Sequence, residues 1–363
     1  MTKKKTDFNF PVSSLPKWQE SAQQELGELE PLRKLSLSKG SLKIKPYYDA
    51  STTAQLKDFQ QLPAVNSFFG ARSWMNIPHI RVEDEQKANE QALFYLQSGA
   101  DGILFEPVKA NLRLDALFDQ IKPEFCSLSF FIDSAYVQNG TDIKSWIEIK
   151  NDPKLLSGCI FWPYFPKLDL EGPKFYTTNY FPFGLWIPTQ ENAEDEIVFG
   201  LEKATQVLEL ISDQNNLKQV IGCIAFSVSI GTDIFLEIAK LKALRNLWYQ
   251  IQGAFGVTEM IPLHIHARSA VWSKEAFQPH GNMIKSTVAA ISAIAGGCDS
   301  ITLEPEGNDH TENRIALNVS SILREESYLS KVADPTAGSY YIDSLVAVLS
   351  EKAWQKFQTR MNQ

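Results

Sequence analysis

The chain has little that would mark it for export, for a membrane or for a nucleic acid. It contains only four cysteines, Cys126, Cys159, Cys223 and Cys298. They are far apart, and each lies at or beside an apolar strand-like run. This is the setting of a buried free thiol, not of a disulfide framework or a zinc knot. No apolar run approaches membrane-spanning length. Lys3 to Lys5 imitate the start of a signal peptide, but DFNFPVSSLPKW follows where an apolar segment would be needed. Lysine and arginine number 35 against 43 acidic residues, giving a formal charge of −8 and a pI near 5.3, so no basic footprint for nucleic acid or anionic lipid is expected. These absences predict a cytoplasmic, reducing-compartment protein, with no nucleic-acid or membrane partner, that meets proteins or small molecules.

What is present is enough apolar sequence for a large core. At 363 residues and 44% hydrophobic content, the economical reading is one α/β barrel with an N-terminal extended arm. Residues 1–48 carry Pro11, Pro16 and Pro31, a helical pattern from Trp18 to Leu26 and the strand-like SLKIKPYY, too few apolar groups for a core of their own. Residues 49–363 are expected to form the barrel domain. From Ser73 onward short strand-like runs alternate with longer helical ones, the signature of a parallel sheet with crossover helices. The candidate strands are SWMNI (73–77), GILFE (102–106), SLSFFI (127–132), GCIFW (158–162), FYTTNY (175–180), CIAFSVSI (223–230), LHIHA (263–267) and SITLE (300–304). Eight strands are the number that closes a (β/α)8 TIM barrel. Between them, DIFLEIAKLKALRNLWYQI puts Ile234, Ile238 and Leu241 in one row and Phe235, Ala239 and Leu244 in the next, with Thr232 or Asp233 as N-cap. NRIALNVSSILREE aligns Ile315, Val319, Ile322 and Leu323, DPTAG makes a turn, and a last helix is expected over 344–357. Five prolines between Pro163 and Pro188 leave the fifth strand least defined.

Strand alternation sorts these runs into two faces. Ser127 and Ser129 oppose Leu128, Phe130 and Ile132. Ala225, Ser227 and Ser229 oppose Phe226, Val228 and Ile230. His264, His266 and Arg268 oppose Leu263, Ile265 and Ala267, while Ser300, Thr302 and Glu304 oppose Ile301 and Leu303. The apolar set belongs beneath the helices, so the polar set should face the axis, where ordinary barrels carry branched aliphatics. Unpaired buried polar groups cost about 1–3 kcal/mol each. Such a lumen is therefore hydrated, occupied by a polar ligand, or made of small serines that accommodate Phe131, Phe161 or Trp162 and bond the backbone.

The His264-x-His266 pair places both rings on one side of a strand, as in zinc sites of barrel hydrolases, with Glu106, Asp133 and Glu304 as further ligands. The blander reading, a hydrogen-bonded lumen pair, is preferred, and no metal is expected. Glu106 and Glu304, each followed by proline, end their strands where barrel active sites lie, and such a carboxylate pair serves glycoside hydrolysis. His79, His280 and His310 read as loop or helix residues.

GTDIFLEIAKLKALRNLW (231–248), NMIKSTVAAISAIAGGCDSI (282–301) and REESYLSKVADPTAGSYYID (324–343) resemble the barrel domain of the methylmalonyl-CoA mutase family, adenosylcobalamin-dependent isomerases of coenzyme A thioesters. FPVSSLPKWQESAQQEL followed by IKPYYD resembles that family's subunit-embracing arm. The resemblance implies a barrel whose lumen of small polar side chains passes the coenzyme A tail. The family's catalytic subunits also carry an Asp-x-His-x-x-Gly cobalamin domain, a Gly-Tyr-His-Met-type segment after the fifth strand and a tyrosine-bearing glycine-rich loop near the first. None of the three is found before Gln363. TTNYFPFGLWIPTQENAED and SWMNIPHIRV stand where the last two would be. The resemblance thus implies the non-catalytic small subunit, barrel only, with no cobalamin-binding domain and no cofactor bound by this chain. Adenosylcobalamin would belong to a large catalytic partner subunit in a heterodimer. The alternatives are a stand-alone barrel that takes an acyl-CoA or similar ligand in its polar lumen, or a barrel hydrolase.

Overall fold

In the computed structural model, which describes residues 13–27, 30–53, 62–64, 70–150, 155–164, 179–210, 214–270, 280–307 and 309–362, the eight expected strand positions are filled by nine hydrogen-bonded segments. The chain enters through α1 (Leu15–Leu26), α2 (Pro31–Leu35), the antiparallel hairpin β1 (Leu37–Lys39) and β2 (Leu42–Ile44), and α3 (Ala50–Thr53). The barrel then runs β3 (Met75–Asn76), β4 (His79–Val82), α4 (Glu85–Gln97), β5 (Gly102–Pro107), α5 (Leu114–Leu117), β6 (Ser127–Phe131), α6 (Val137–Lys150), β7 (Gly158–Trp162) and β8 (Tyr180–Trp186). It continues with α7 (Ala193–Glu209), α8 (Gln214–Gly222), β9 (Ile224–Ile230), α9 (Ile234–Ala254), β10 (His264–Ser269), α10 (Gly281–Ala295), β11 (Ser300–Thr302), α11 (His310–Glu325) and α12 (Tyr340–Met361).

The ninth segment comes from a break in the first strand. Pro78 has no N–H to give a ladder, and the strand splits around it. Below the break β3 pairs parallel with β11, and above it β4 pairs parallel with β5. The backbone holds both flanks: Ile77 N–H donates to Ile301 O at 2.9 Å, and Leu104 N–H donates to Pro78 O at 3.0 Å. Because β3 and β4 are one continuous stretch of chain, the sheet order β3-β11-β10-β9-β8-β7-β6-β5-β4 closes on itself.

The fifth strand position differs from the expected FYTTNY. Most of that run lies outside the described residues, and the strand is YFPFGLW, Tyr180 to Trp186. A proline inside it is tolerated because the pairing with β7 skips there, from Cys159 with Phe181 to Phe161 with Gly184, which leaves Pro182 in a bulge. Its carbonyl accepts the Trp162 indole N–H at 2.9 Å.

Several helices start on polar caps. Asp233 accepts from Leu236 N–H, choosing between the two expected caps of α9, and Asp309 with Glu312 forms a full capping box on α11. Phe235 and Ile322 depart from the expected buried rows and are about half exposed. The final helix is longer than expected at both ends. Beneath the helices, Ile224, Phe226, Val228, Ile265, Ala267 and Ile301 join Trp248, Leu244 and Leu349 in one core, and Ile103, Phe105, Leu128, Phe130 and Ile160 form a second. All four cysteines are buried and free.

The described part of the N-terminal segment is helical and hairpin-bearing, and it packs on the barrel. Leu42 and Ile44 are in the first core, and Ser41 Oγ donates to Glu194 at 2.8 Å. Helix α1 buries none of its residues and rests on this segment through Trp18, which stacks on Tyr47 at 5.5 Å. Among the described residues no helix is long and apolar enough to cross a membrane.

One close approach is diagnostic of this interior. A Cβ on Gly184 would lie 2.6 Å from Phe161 and 2.7 Å from Ile160 O. Gly184→Ala is therefore expected to destabilise the fold by about 1–3 kcal/mol through overpacking, read as a lower urea midpoint with an unchanged slope.

Candidate functional site

The axis-facing residues divide the barrel into a polar half and an apolar half. On β9, β10 and β11 the inward positions are Ser227, His264, His266, Ser300 and Thr302. On the opposite side Leu104, Phe131, Cys159 and Phe161 cluster with Ile77 and Ala225, with Phe181, Trp186 and Met75 against them. Aromatic rings of the apolar half lie on the imidazoles of the polar half. Phe161 stacks on His266 at 5.1 Å, and Phe181 leans on His264 at 4.6 Å.

The hydrogen bonds of the polar half have a fixed direction. Thr302 Oγ1 donates to Ile77 O at 2.6 Å, which commits its only proton. His266 Nε2, 2.9 Å from the same oxygen, must therefore be the donor, and Nδ1 must accept from Ser227 Oγ, also at 2.9 Å. The chain runs from Ser227 through His266 and Thr302 to Ile77 O, crossing β9, β10, β11 and the broken first strand. It needs a neutral ring. Burial, reinforced by the nearby positive Arg268, holds the His266 pKa well below the usual histidine value. His264, which meets Ser300 Oγ at 3.1 Å, is also lowered by burial.

The structure thus joins Ser227, His266 and Thr302, and separately His264 and Ser300, in hydrogen-bonded sets. It does not bring Ser127 or Ser129 to them. On β6, Ser129 Oγ accepts from Cys159 N–H at 3.2 Å, while the Ser127 hydroxyl has no described partner. Ser229 lies at the rim and accepts from Thr189 Oγ1 at 2.9 Å. Ser227, His266, Thr302 and Phe161 are each 0% exposed, so no water-sized space touches them. Among the described residues the lumen is filled at this level.

At the C-terminal mouth, Arg268 lies over Trp186, 4.4 Å from the ring centre, and over Phe131 at 5.7 Å. Burial lowers its pKa to about 10 despite Glu304, Glu196 and Glu106 nearby, so it stays charged at neutral pH.

His79 requires a correction. It is a strand residue on β4, and it sits between the two carboxylates read as a candidate catalytic pair. Its Nε2 is 3.0 Å from Glu106 Oε2, and its Nδ1 is 3.0 Å from Glu304 Oε1. Glu304 is oriented by its own N–H, which donates to Ser269 Oγ at 2.9 Å. Burial would lower the His79 pKa, but its hydrogen bonds and charge attraction to both glutamates raise it to about 9. The hydrogen bond to His79 correspondingly lowers Glu106. Neither carboxylate is left free for glycoside chemistry. The sequence held a signal for this, because HIRV after Pro78 continues the strand alternation and points His79 to the same side as Arg81.

Among the described residues no group of His, Cys, Asp and Glu is arranged to hold a metal ion. The barrel imidazoles also do not fit an axial cobalt ligand. His79 has both nitrogens on carboxylates, His266 uses both of its own, and His264 is enclosed. His280 precedes α10 in a left-handed conformation, and His310 begins α11 against Phe94.

Comparison with known proteins agrees with the motifs. Residues 191–361 match the family model described as methylmalonyl-CoA mutase. A methylmalonyl-CoA mutase small subunit from Porphyromonas gingivalis is 28% identical over 98% of this chain and 64% of its own length. One from Streptomyces virginiae is 32% identical over 46% of this chain and 28% of its own, and a methylmalonyl-CoA mutase from Cereibacter sphaeroides is 38% identical over 38% and 21%. The matched part of the chain is thus less than two thirds of each relative. The chain is similar to methylmalonyl-CoA mutases and to their small subunits.

His79 should make stability depend on alkaline pH. Its pKa is raised in the folded state, so its contribution is whole below the ordinary histidine value of 6.5 and is lost as pH rises from there through about 9. Between pH 6 and pH 9.5 the urea midpoint of the wild type is expected to fall more steeply than that of His79→Gln. Parallel curves would remove the imidazolium from this role.

Proposed function

We propose that this chain is the small subunit of a methylmalonyl-CoA mutase, the isomerase that interconverts methylmalonyl-CoA and succinyl-CoA. It stabilises the large catalytic subunit in a heterodimer and is catalytically silent alone, with adenosylcobalamin held by the large subunit. The reading places the protein in the cytoplasm, in keeping with four buried free thiols.

The observation that carries catalytic silence is the filled lumen. A coenzyme A thioester drawn through a barrel needs a bore, and here Phe161 and Phe181 lie directly on His266 and His264. Nor is a proton carrier available inside, because His266 is neutral and both of its nitrogens are engaged. What these residues do instead is fill the axis and tie strands together, which suits a subunit that contributes surface. An acyl-CoA in the polar half of the lumen would have to displace both phenylalanines. Calorimetry of the isolated wild type with coenzyme A thioesters is therefore expected to give no heat.

Co-expression with the large subunit tests the partnership. A single heterodimer peak in size-exclusion chromatography is expected, and separate elution at micromolar concentration would sink it. In the reconstituted complex His266→Gln should leave kcat within about twofold, while costing the small subunit about 1–3 kcal/mol by orphaning buried hydroxyls. A tenfold loss of kcat with the fold retained would make this barrel part of the catalytic centre.

A further inference from the structure

Outside the barrel axis, the N-terminal ends of α10 and α11 part around a cavity of about 570 Å³, within the size range of small-molecule sites. It opens beside the C-terminal end of β11. Its walls are apolar, chiefly Met283 on α10 and Ile315 and Val319 on α11. Polar groups also line it, His280, Asn282 and Thr311 among them, and Ser286, Glu306 and Glu304 bear most on what it could hold.

Ser286 is 6% exposed, yet no described residue hydrogen-bonds its hydroxyl. A serine so placed in a helix ordinarily bonds a carbonyl one turn back, as Ser292 does to Val288 O at 2.9 Å. Glu306 is half-buried, and no described residue pairs with it either. Glu304 also lines the cavity, with one oxygen on His79. Asp309 and Glu312, at the cavity edge, are committed to each other's backbone in the capping box. Among the described residues the lining contains no lysine or arginine. A carboxylate against apolar walls without a cation is costly, and these carboxylates repel an anionic ligand.

We propose that this cavity is a binding site for a primary alkylammonium ion, whose aliphatic body lies on Met283, Ile315 and Val319 and whose ammonium donates to Glu306, Glu304 and Ser286. A primary ammonium has three N–H donors for three acceptors, which a quaternary ammonium lacks. The site is distinct from the histidine-bearing lumen.

The test is calorimetry of the full chain at neutral pH with hexylamine, hexyltrimethylammonium and hexanoate. Hexylamine is expected to bind with one site per chain, Glu306→Gln to weaken it about tenfold, and Ile315→Trp, which fills the cavity, to abolish it. Circular dichroism and melting curves check the fold of each variant. If Ile315→Trp does not fold, the half-exposed Glu306→Gln still decides. Absence of heat from hexylamine up to millimolar concentration overturns the proposal. So does equal affinity for hexanoate or the trimethylated amine, or unchanged affinity in Glu306→Gln.

Discussion

Everything in this barrel depends on closing a sheet whose first strand is broken. Pro78 removes a ladder donor where the first strand must pair on both sides, so β3 serves one neighbour and β4 the other. Side chains make good the gap. From one flank the chain Ser227, His266, Thr302 ends on the carbonyl of Ile77, the residue before the break. Just past the break His79 reaches Glu304 beyond β11 and Glu106 on β5. The seam is thus bridged below Pro78 by a neutral imidazole and above it by a charged one. The two protonation states follow from surroundings: His266 is enclosed near the positive Arg268, whereas His79 is clamped between two carboxylates.

The same constraint accounts for the polar strands. Ser, Thr and His at inward positions of β9, β10 and β11 do not line a wet channel, because the aromatic half of the barrel closes on them. A phenyl ring on an imidazole face buries apolar area while leaving the ring nitrogens free for in-plane hydrogen bonds. That is how Ser227, His266 and Thr302 keep their hydrogen bonds while water is excluded from them.

Much of this was legible in the sequence. The alternation in CIAFSVSI, LHIHA and SITLE assigned the inward residues, and the outward set Phe226, Val228, Ile265 and Ile301 is in the core beneath the helices. Asp233 was legible as a cap because its carboxylate needs only its own helix. The fifth strand was not, because Pro182 argues against a strand unless the bulge opposite Cys159 and Phe161 is known. His79 was missed for a similar reason: the proline before it looks like the end of a strand, and nothing local says that the strand resumes with a different neighbour.

Periodicity, capping and motif similarity by themselves determined an α/β barrel, the inward and outward faces of most strands, the free thiols and the likeness to methylmalonyl-CoA mutases. These are properties of neighbours along the chain. Whether the polar lumen is open or filled, which histidine carries charge, and whether Glu106 and Glu304 are free were decided only by tertiary structure. The partners that settle them, Phe161 for His266 and Glu106 and Glu304 for His79, come from strands far apart in sequence. Stacking and ion pairing act only across the few ångströms that the closed barrel creates.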